Sequence, residues 1–265
     1  MLDFYRFEHL KKQPSVLHLV STKSGLYPYT FSLALHTGED AKAIIQNRQM
    51  LAEQLVTSTP LHFIVANQTH SDNITVIREQ DTKGWEHLDD AIENCDALIT
   101  NVPHVVLSIL TADCVPVLLY DLKQGVIAAI HAGWKGTQQE IVIKTLKQMK
   151  NTFASNPEDI LAGIAPSIGR CCYEVGEDVA KHFFDTPMGF TKVKDKYMLD
   201  LPYLNKKQLL DFGVKEENIE MSNICTACHN DKFFSYRKEK GCSGRFMSII
   251  GLKDLDENTR LLRRY

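Results

Sequence analysis

The segment TADCVPVLLYDLKQGVIAAIHAGWKGT, residues 111–137, sets a thiol and an imidazole at the two open ends of what reads as a buried hairpin. Cys114 precedes the apolar run 115–120, and His131 closes the apolar run 126–131. His70, in the polar stretch ANQTHSDNI between two further apolar runs, is a third group of the same kind. Two imidazoles and one thiolate form a donor set suited to Zn²⁺. Three protein ligands leave a fourth position open, which marks a catalytic rather than a structural zinc site. The three residues are scattered, however, and match no short metal motif. Taken singly, Cys114 reads as a small buried apolar residue, His70 as a turn residue and His131 as a satisfied strand end.

The elements that must position these groups are short. Apolar runs at 16–20, 61–66, 73–77, 96–100, 105–110, 115–120, 126–131, 160–165 and 246–250 predict strands. Helical patterns cover 39–55, 137–150, 176–185 and 202–212. The second of these opens on Thr137-Gln138-Gln139-Glu140, a capping-box spacing. The fourth has Pro202 at its start and Gly213 at its end. Many strands on short turns with a few helices between them predict mixed sheets in one α+β domain spanning 1–265. If residues 120 and 125 pair in the hairpin, Cys114 lies opposite His131, which requires a four-residue turn or a bulge within 121–125. A slip of one residue would send the two side chains to opposite faces.

Composition bounds the function. The chain has 265 residues, 44% hydrophobic and 24% charged, as an ordinary globule with a sizeable core has. A net charge of −3 gives no sign of a nucleic-acid or membrane-surface partner. No run of apolar residues is long enough to span a bilayer, and MLDFYRFEHLKKQPS lacks the apolar core of a signal peptide. Seven cysteines, an odd number, with no export signal read as reduced thiols in a cytoplasmic protein.

The blocks NQTHSD, DALIT, TADCVPVLLYD, AAIHAGWKGT, GIAPSIGRCCYEVGEDV and FFSYRKEKGCSGRFMSIIGL, in that order over residues 60–250, resemble those of the YfiH/YlmD family. These are laccase-domain, or multicopper polyphenol oxidase-like, purine nucleoside phosphorylases. The resemblance implies an α/β/β/α sandwich similar to the catalytic domain of cytotoxic necrotizing factor. It implies zinc on His70, Cys114 and His131. It also implies phosphorolysis of adenosine, inosine, guanosine and methylthioadenosine, with adenosine deamination. Attack would fall on C1′ of the ribose in the first reaction and on C6 of adenine in the second. Against the family pattern, Lys23 stands where an arginine is expected and Ser32 where an asparagine is, while His36 and Gly38 fit. A lysine supplies charge but no bidentate fork.

Phosphate needs compensating cations, for which Lys135, Arg237, Arg245 and Lys23 are the candidates. Gln68 and Asp113 are candidate partners for the metal ligands, since a ligating histidine usually donates its second ring N–H to such a group. Cys225-Thr-Ala-Cys228-His229 has the CxxCH spacing of haem attachment, but that reaction needs an exported setting and no haem is expected. A second zinc on Cys225, Cys228 and one of Cys171, Cys172 or Cys242 is conceivable; packed thiols are the reading kept.

The sequence therefore points to a cytoplasmic zinc enzyme acting on purine nucleosides and phosphate. Three rivals stand beside it. A metal-free Cys–His hydrolase or deamidase would use Cys114 as nucleophile and His131 as base, and would not need His70. A copper polyphenol oxidase would want an axial methionine or many more histidines than the ten present. A non-catalytic partner-binding protein, or a role in cell-wall precursor quality control, is the third.

Overall fold

The computed structural model describes residues 2–55, 57–241 and 244–253. In chain order the strands are β1 (Phe4–Tyr5), β2 (Val16–Ser21), β3 (His62–Val65), β4 (Ile74–Ile77), β5 (Ala97–Thr100), β6 (Val105–Thr111), β7 (Val115–Asp121), β8 (Val126–Ala132), β9 (Ile160–Ile164), β10 (Glu174–Val175), β11 (Phe190–Val193), β12 (Lys196–Leu199), β13 (Ile219–Met221) and β14 (Phe246–Leu252). The helices are α1 (Glu8–Lys11), α2 (Ala41–Ala52), α3 (Trp134–Gln138), α4 (Ile141–Phe153), α5 (Glu177–Ala180) and α6 (Leu201–Phe212).

Two large sheets carry the molecule. One runs β1-β2-β14-β6-β3, the other β13-β9-β7-β8-β5-β4, and a small third sheet β10-β12-β11 joins the core of the six-stranded one through Val175, Tyr197 and Leu199. Both large sheets are mixed: β3–β6, β4–β5 and β9–β13 are parallel, and the remaining pairs are antiparallel. Alternate residues of each strand point to opposite faces, and the core divides accordingly. In β7, Leu118 and Tyr120 face a core shared with Leu107, Ile109 and Ile250 of the five-stranded sheet. Val115, Val117 and Leu119 face Ile141, Leu146 and Leu209 of α4 and α6. On the far side of the five-stranded sheet, Leu19, Val106 and Ile249 pack on Leu51 of α2 and on Phe31 and Leu33. Helix, sheet, sheet and helix therefore stack in that order. Strands β6, β7, β8 and β14 are buried at every residue, which is why their sequences are apolar runs rather than alternating ones.

The β7–β8 hairpin turns in four residues, 122–125. Asp121 Oδ1 accepts the N–H groups of Lys123 and Gln124, and Gly125 takes φ +65°. The expected register is corrected by one step on each strand. Asp121 pairs with Val126 and Pro116 with His131, so Cys114 lies two residues beyond the partner of His131 rather than opposite it. An offset of two preserves the face, so the side chains remain neighbours on a diagonal.

The capping-box expectation is also corrected. The pattern over 137–150 is two helices, broken where Glu140 adopts the left-handed region at φ +60°. Thr137 lies inside α3 and its hydroxyl accepts from Asn205 of α6, so it caps nothing. Helix α6 keeps its expected frame, with Asp200 accepting from the Tyr203 N–H and Gly213 closing it at φ +103°.

Candidate active site

His70, Cys114 and His131 converge at one end of the six-stranded sheet, their ligand atoms within 4.8 Å of one another. His70 Nε2 is 3.7 Å from Cys114 Sγ, and the two imidazoles meet edge to face with centroids 4.8 Å apart. His131 comes from the end of β8 and Cys114 from the bend after β6, where Asp113 has φ +88°. His70 sits on the loop after β3 with its backbone in the left-handed region, φ +61°. Gly133 makes room for the cluster: a Cβ there would lie 3.0 Å from His70 Cδ2 and 3.2 Å from Cys114 Sγ.

One fully buried carboxylate organises all of this. Asp96, just before β5, accepts the His131 Nδ1–H at 2.7 Å and the His70 backbone N–H at 3.1 Å on Oδ1. Its Oδ2 accepts both the N–H and the hydroxyl of Ser71. His131 thus presents Nε2 to the cluster, and the His70 loop is tied to the same carboxylate. Burial disfavours the Asp96 charge, but the bonds from His131 and Ser71 outweigh it and hold the carboxyl below its ordinary range. Burial likewise opposes charge on Cys114 and His131. Their mutual attraction, with Asp96 behind His131 and His70 beside Cys114, overrides it: the thiol is driven down and the imidazole up.

Asp96 fills the role first given to Gln68 and Asp113. The Gln68 amide is spent on the Leu110 main chain, accepting its N–H at 2.9 Å and donating to its carbonyl at 2.8 Å. Asp113 accepts the Thr226 hydroxyl and the Arg237 N–H, which fixes the loop carrying Cys114 without touching a ligand ring. The available sequence signal for Asp96 was its position before an apolar strand, where a carboxylate is costly without partners.

The trio opens into a cavity of about 580 Å³, within the usual range of roughly 300–1,000 Å³ for small-molecule sites. Arg237 and Arg245 line it, together with the aromatic rings of Trp134, Tyr173 and Tyr236. The Arg237 guanidinium lies 5.2 Å over Tyr173 and that of Arg245 lies 5.8 Å over Tyr236. His36 also lines the cavity; burial, then Arg245 and Arg48, push its pKa down.

The two lysines lie elsewhere. Lys135 is exposed, its ammonium 5.8 Å from the Trp134 ring, outside the cavity lining. Lys23 is half-buried in an ion pair with Glu239 and donates to the Asn230 carbonyl, also outside it. The structure therefore gives each ammonium a setting other than the cavity wall. Ser32 stands behind the cavity, where its hydroxyl accepts the Arg245 N–H and donates to Glu39.

The donor set fits a tetrahedral metal with an open position: two imidazoles and a depressed thiol, one ring nitrogen oriented by a carboxylate. Elsewhere, Cys171 and Cys228 are exposed rather than packed, and with Cys172 and Cys225 they form a second sulfur cluster. Cys242 lies outside the described residues. No helix among the described residues is long and apolar enough to cross a membrane.

Comparison with known proteins places relatives beside this geometry. The family profile described as multi-copper polyphenol oxidoreductase laccase matches residues 18–253. A purine nucleoside phosphorylase of Bacteroides thetaiotaomicron is 37% identical over 255 residues, covering 92% of this chain and 94% of the relative. Purine nucleoside phosphorylase YlmD of Bacillus subtilis is 33% identical over 231 residues, 85% of this chain and 83% of the relative. The crystal structure of YlmD from Geobacillus stearothermophilus superposes with a TM-score of 0.86 at 29% identity, covering 94% of each chain.

Proposed function

The chain belongs to the multi-copper polyphenol oxidoreductase laccase family, the YfiH/YlmD proteins, and from that premise we propose that it is a zinc-dependent purine nucleoside phosphorylase that also deaminates adenosine. The observation that carries the reading is the His70–Cys114–His131 trio opening into a cavity with two arginines and three aromatic rings. His70, Cys114 and His131 would hold the zinc, which would supply a Lewis acid for the anionic or water nucleophile.

The chain's own residues do the rest. Arg237 and Arg245 bring fixed positive charge to the cavity, which suits a dianionic phosphate. Tyr173, Tyr236 and Trp134 offer faces on which a purine stacks. In phosphorolysis a phosphate oxygen bonds to C1′ as the C1′–N9 bond breaks, and the base leaves with the bond pair. In deamination the oxygen of water bonds to C6 as the C6–N6 bond breaks, and the amino group leaves as ammonia. Asp96 holds His131 in one tautomer and the His70 loop in place throughout.

The test follows product formation from inosine plus phosphate and from adenosine. Cys114→Ala is expected to abolish both activities together with metal binding, because they share one centre. Survival of phosphorolysis in that variant would refute the single-site account.

A second reading, the metal-free hydrolase, draws on the Cys114–His131–Asp96 line, which has the layout of a nucleophile, a base and an orienting carboxylate. His70 separates the two: His70→Ala should empty the zinc reading of activity and leave a Cys–His hydrolase working.

A further inference from the structure

Four thiols gather away from the cavity mouth. Cys171 and Cys172 lie in the turn after β9, and Cys225 and Cys228 lie in the turn after β13. Their sulfurs all fall within 4.8 Å of one another, with Cys171 to Cys228 at 3.6 Å and Cys172 to Cys228 at 3.4 Å. We propose that Cys171, Cys172, Cys225 and Cys228 form a second, tetrathiolate zinc site that clamps one wall of the cavity.

The spacing is that of ligands rather than of bonded or packed sulfurs. A disulfide needs about 2.05 Å between sulfurs. Four sulfurs at about 2.3 Å from one tetrahedral ion stand about 3.8 Å apart, close to the separations observed here. Hydrophobic packing does not account for the cluster either. Cys171 and Cys228 are exposed, and the apolar group beside them is small: Ile168, Cys225 and Ala227 with flanking Cys172 and Tyr173.

The backbone is arranged for sulfur ligands. Cys225 and Cys228 have the two-residue gap of a zinc knuckle. The Gly169 N–H donates to Cys225 Sγ at 3.3 Å, which offsets thiolate charge. Gly169 also lets its loop pass close: a Cβ there would lie 3.3 Å from Cys225 Cβ and 3.4 Å from Cys171 Sγ. The two ligand loops are already registered, through a Ser167–Cys225 bridge and the Thr226 N–H on the Ser167 carbonyl. All-sulfur donors select soft metals, and a closed set of four leaves no position for substrate, so the role is structural.

Its location gives the clamp a consequence. Tyr173, next to Cys172, lines the cavity. Thr226, next to Cys225, donates to Asp113, and the Ile168 N–H donates to the Asp113 carbonyl. Asp113 precedes Cys114, so an ion on the four thiols fixes both a cavity wall and the backbone beside the first site. The inference stands independently of the substrate.

The test uses the full chain purified with reductant. In the variant His70→Ala, Cys114→Ala, His131→Ala, elemental analysis is expected to find one zinc per chain. Cobalt(II) added to that variant after chelation should give the intense charge-transfer and visible bands of a tetrahedral tetrathiolate. A further Cys228→Ser change should remove ion and bands, whereas Cys228→His should retain the ion with weaker charge transfer. A folded triple variant without zinc, or cobalt bound without thiolate bands, would overturn the proposal. So would a disulfide among the four in reduced protein. The unaltered protein offers a measurement free of variants. X-ray absorption at the zinc edge should average about two to three sulfurs per zinc, from one site with one sulfur and one with four. An average of one sulfur would also overturn it.

Discussion

Asp96 accepts from two of the three candidate ligand residues, so changing it tests the site without deleting a ligand. Asp96→Asn keeps the shape but removes the charge and one acceptor. Removing such a partner costs about 10- to 100-fold in metal affinity. That loss should be read by chelator competition, with the circular dichroism spectrum retained; unchanged affinity would remove Asp96 from the centre. Gly133→Ala probes the same cluster by volume. Its methyl would press on His70 and Cys114 at 3.0 and 3.2 Å. Metal affinity should fall while the chain still folds, and an unaffected affinity would show that the loop yields. His70, Cys114 and His131 could be picked from the sequence because histidine and cysteine are scarce and chemically distinctive. For Asp96 the one signal was its place before an apolar strand, which does not name its partner: carboxylates are common, and it is the β5–β8 pairing that brings it beneath His131.

At the scale of elements, burial decided what was legible. The nine apolar runs are the strands of the two large sheets that supply the three cores, with only the edge strand β4 largely half-buried. The missed strands, β1 and β10 to β13, are two to four residues long and largely exposed or half-buried, so no alternation announces them. The break between α3 and α4 was hidden because Glu140 is an ordinary helix former held in a left-handed turn. The four-thiol cluster was legible in part: the sequence offers Cys225 and Cys228 with one further thiol as a conceivable zinc set, but favours packed thiols, because the two halves are over fifty residues apart and meet through the parallel pairing of β9 with β13 and the Ser167–Cys225 bridge. Two elements offer stability tests. In β7, Leu118→Ala opens a cavity between the sheets and should cost about 2–5 kcal/mol, seen as a lower urea midpoint. At the start of α2, Asp40 accepts the Ala43 N–H, and Asp40→Ala should cost about 1 kcal/mol. A larger cost from the cap than from Leu118 would contradict the core assignment.

For the molecule as a whole, β2 carries a pH dependence. His18 is buried, and its Nε2 accepts the Phe7 N–H at 2.9 Å. Burial, then the Arg6 charge, lowers its pKa from 6.5 to about 4. The unfolded chain takes up a proton near 6.5 while the native ring stays neutral, so protonation favours unfolding. The stability is whole above about pH 6.5 and is lost progressively as pH falls to about 4, by about 3 kcal/mol in all. Urea midpoints at pH 7 and pH 4.5 should differ for the native chain and differ less in His18→Gln. Equal slopes would show that other groups carry the effect. The position of β14 has a different kind of consequence. It lies between β2 and β6, yet it is translated long after both. On the ribosome those two strands wait with facing edges unpaired, and the sheet closes only when residues 246–252 emerge. A nascent chain stalled before that point presents two open edges to every neighbour, a ready template for aggregation. Chaperone demand during synthesis should therefore peak just before β14 leaves the exit tunnel.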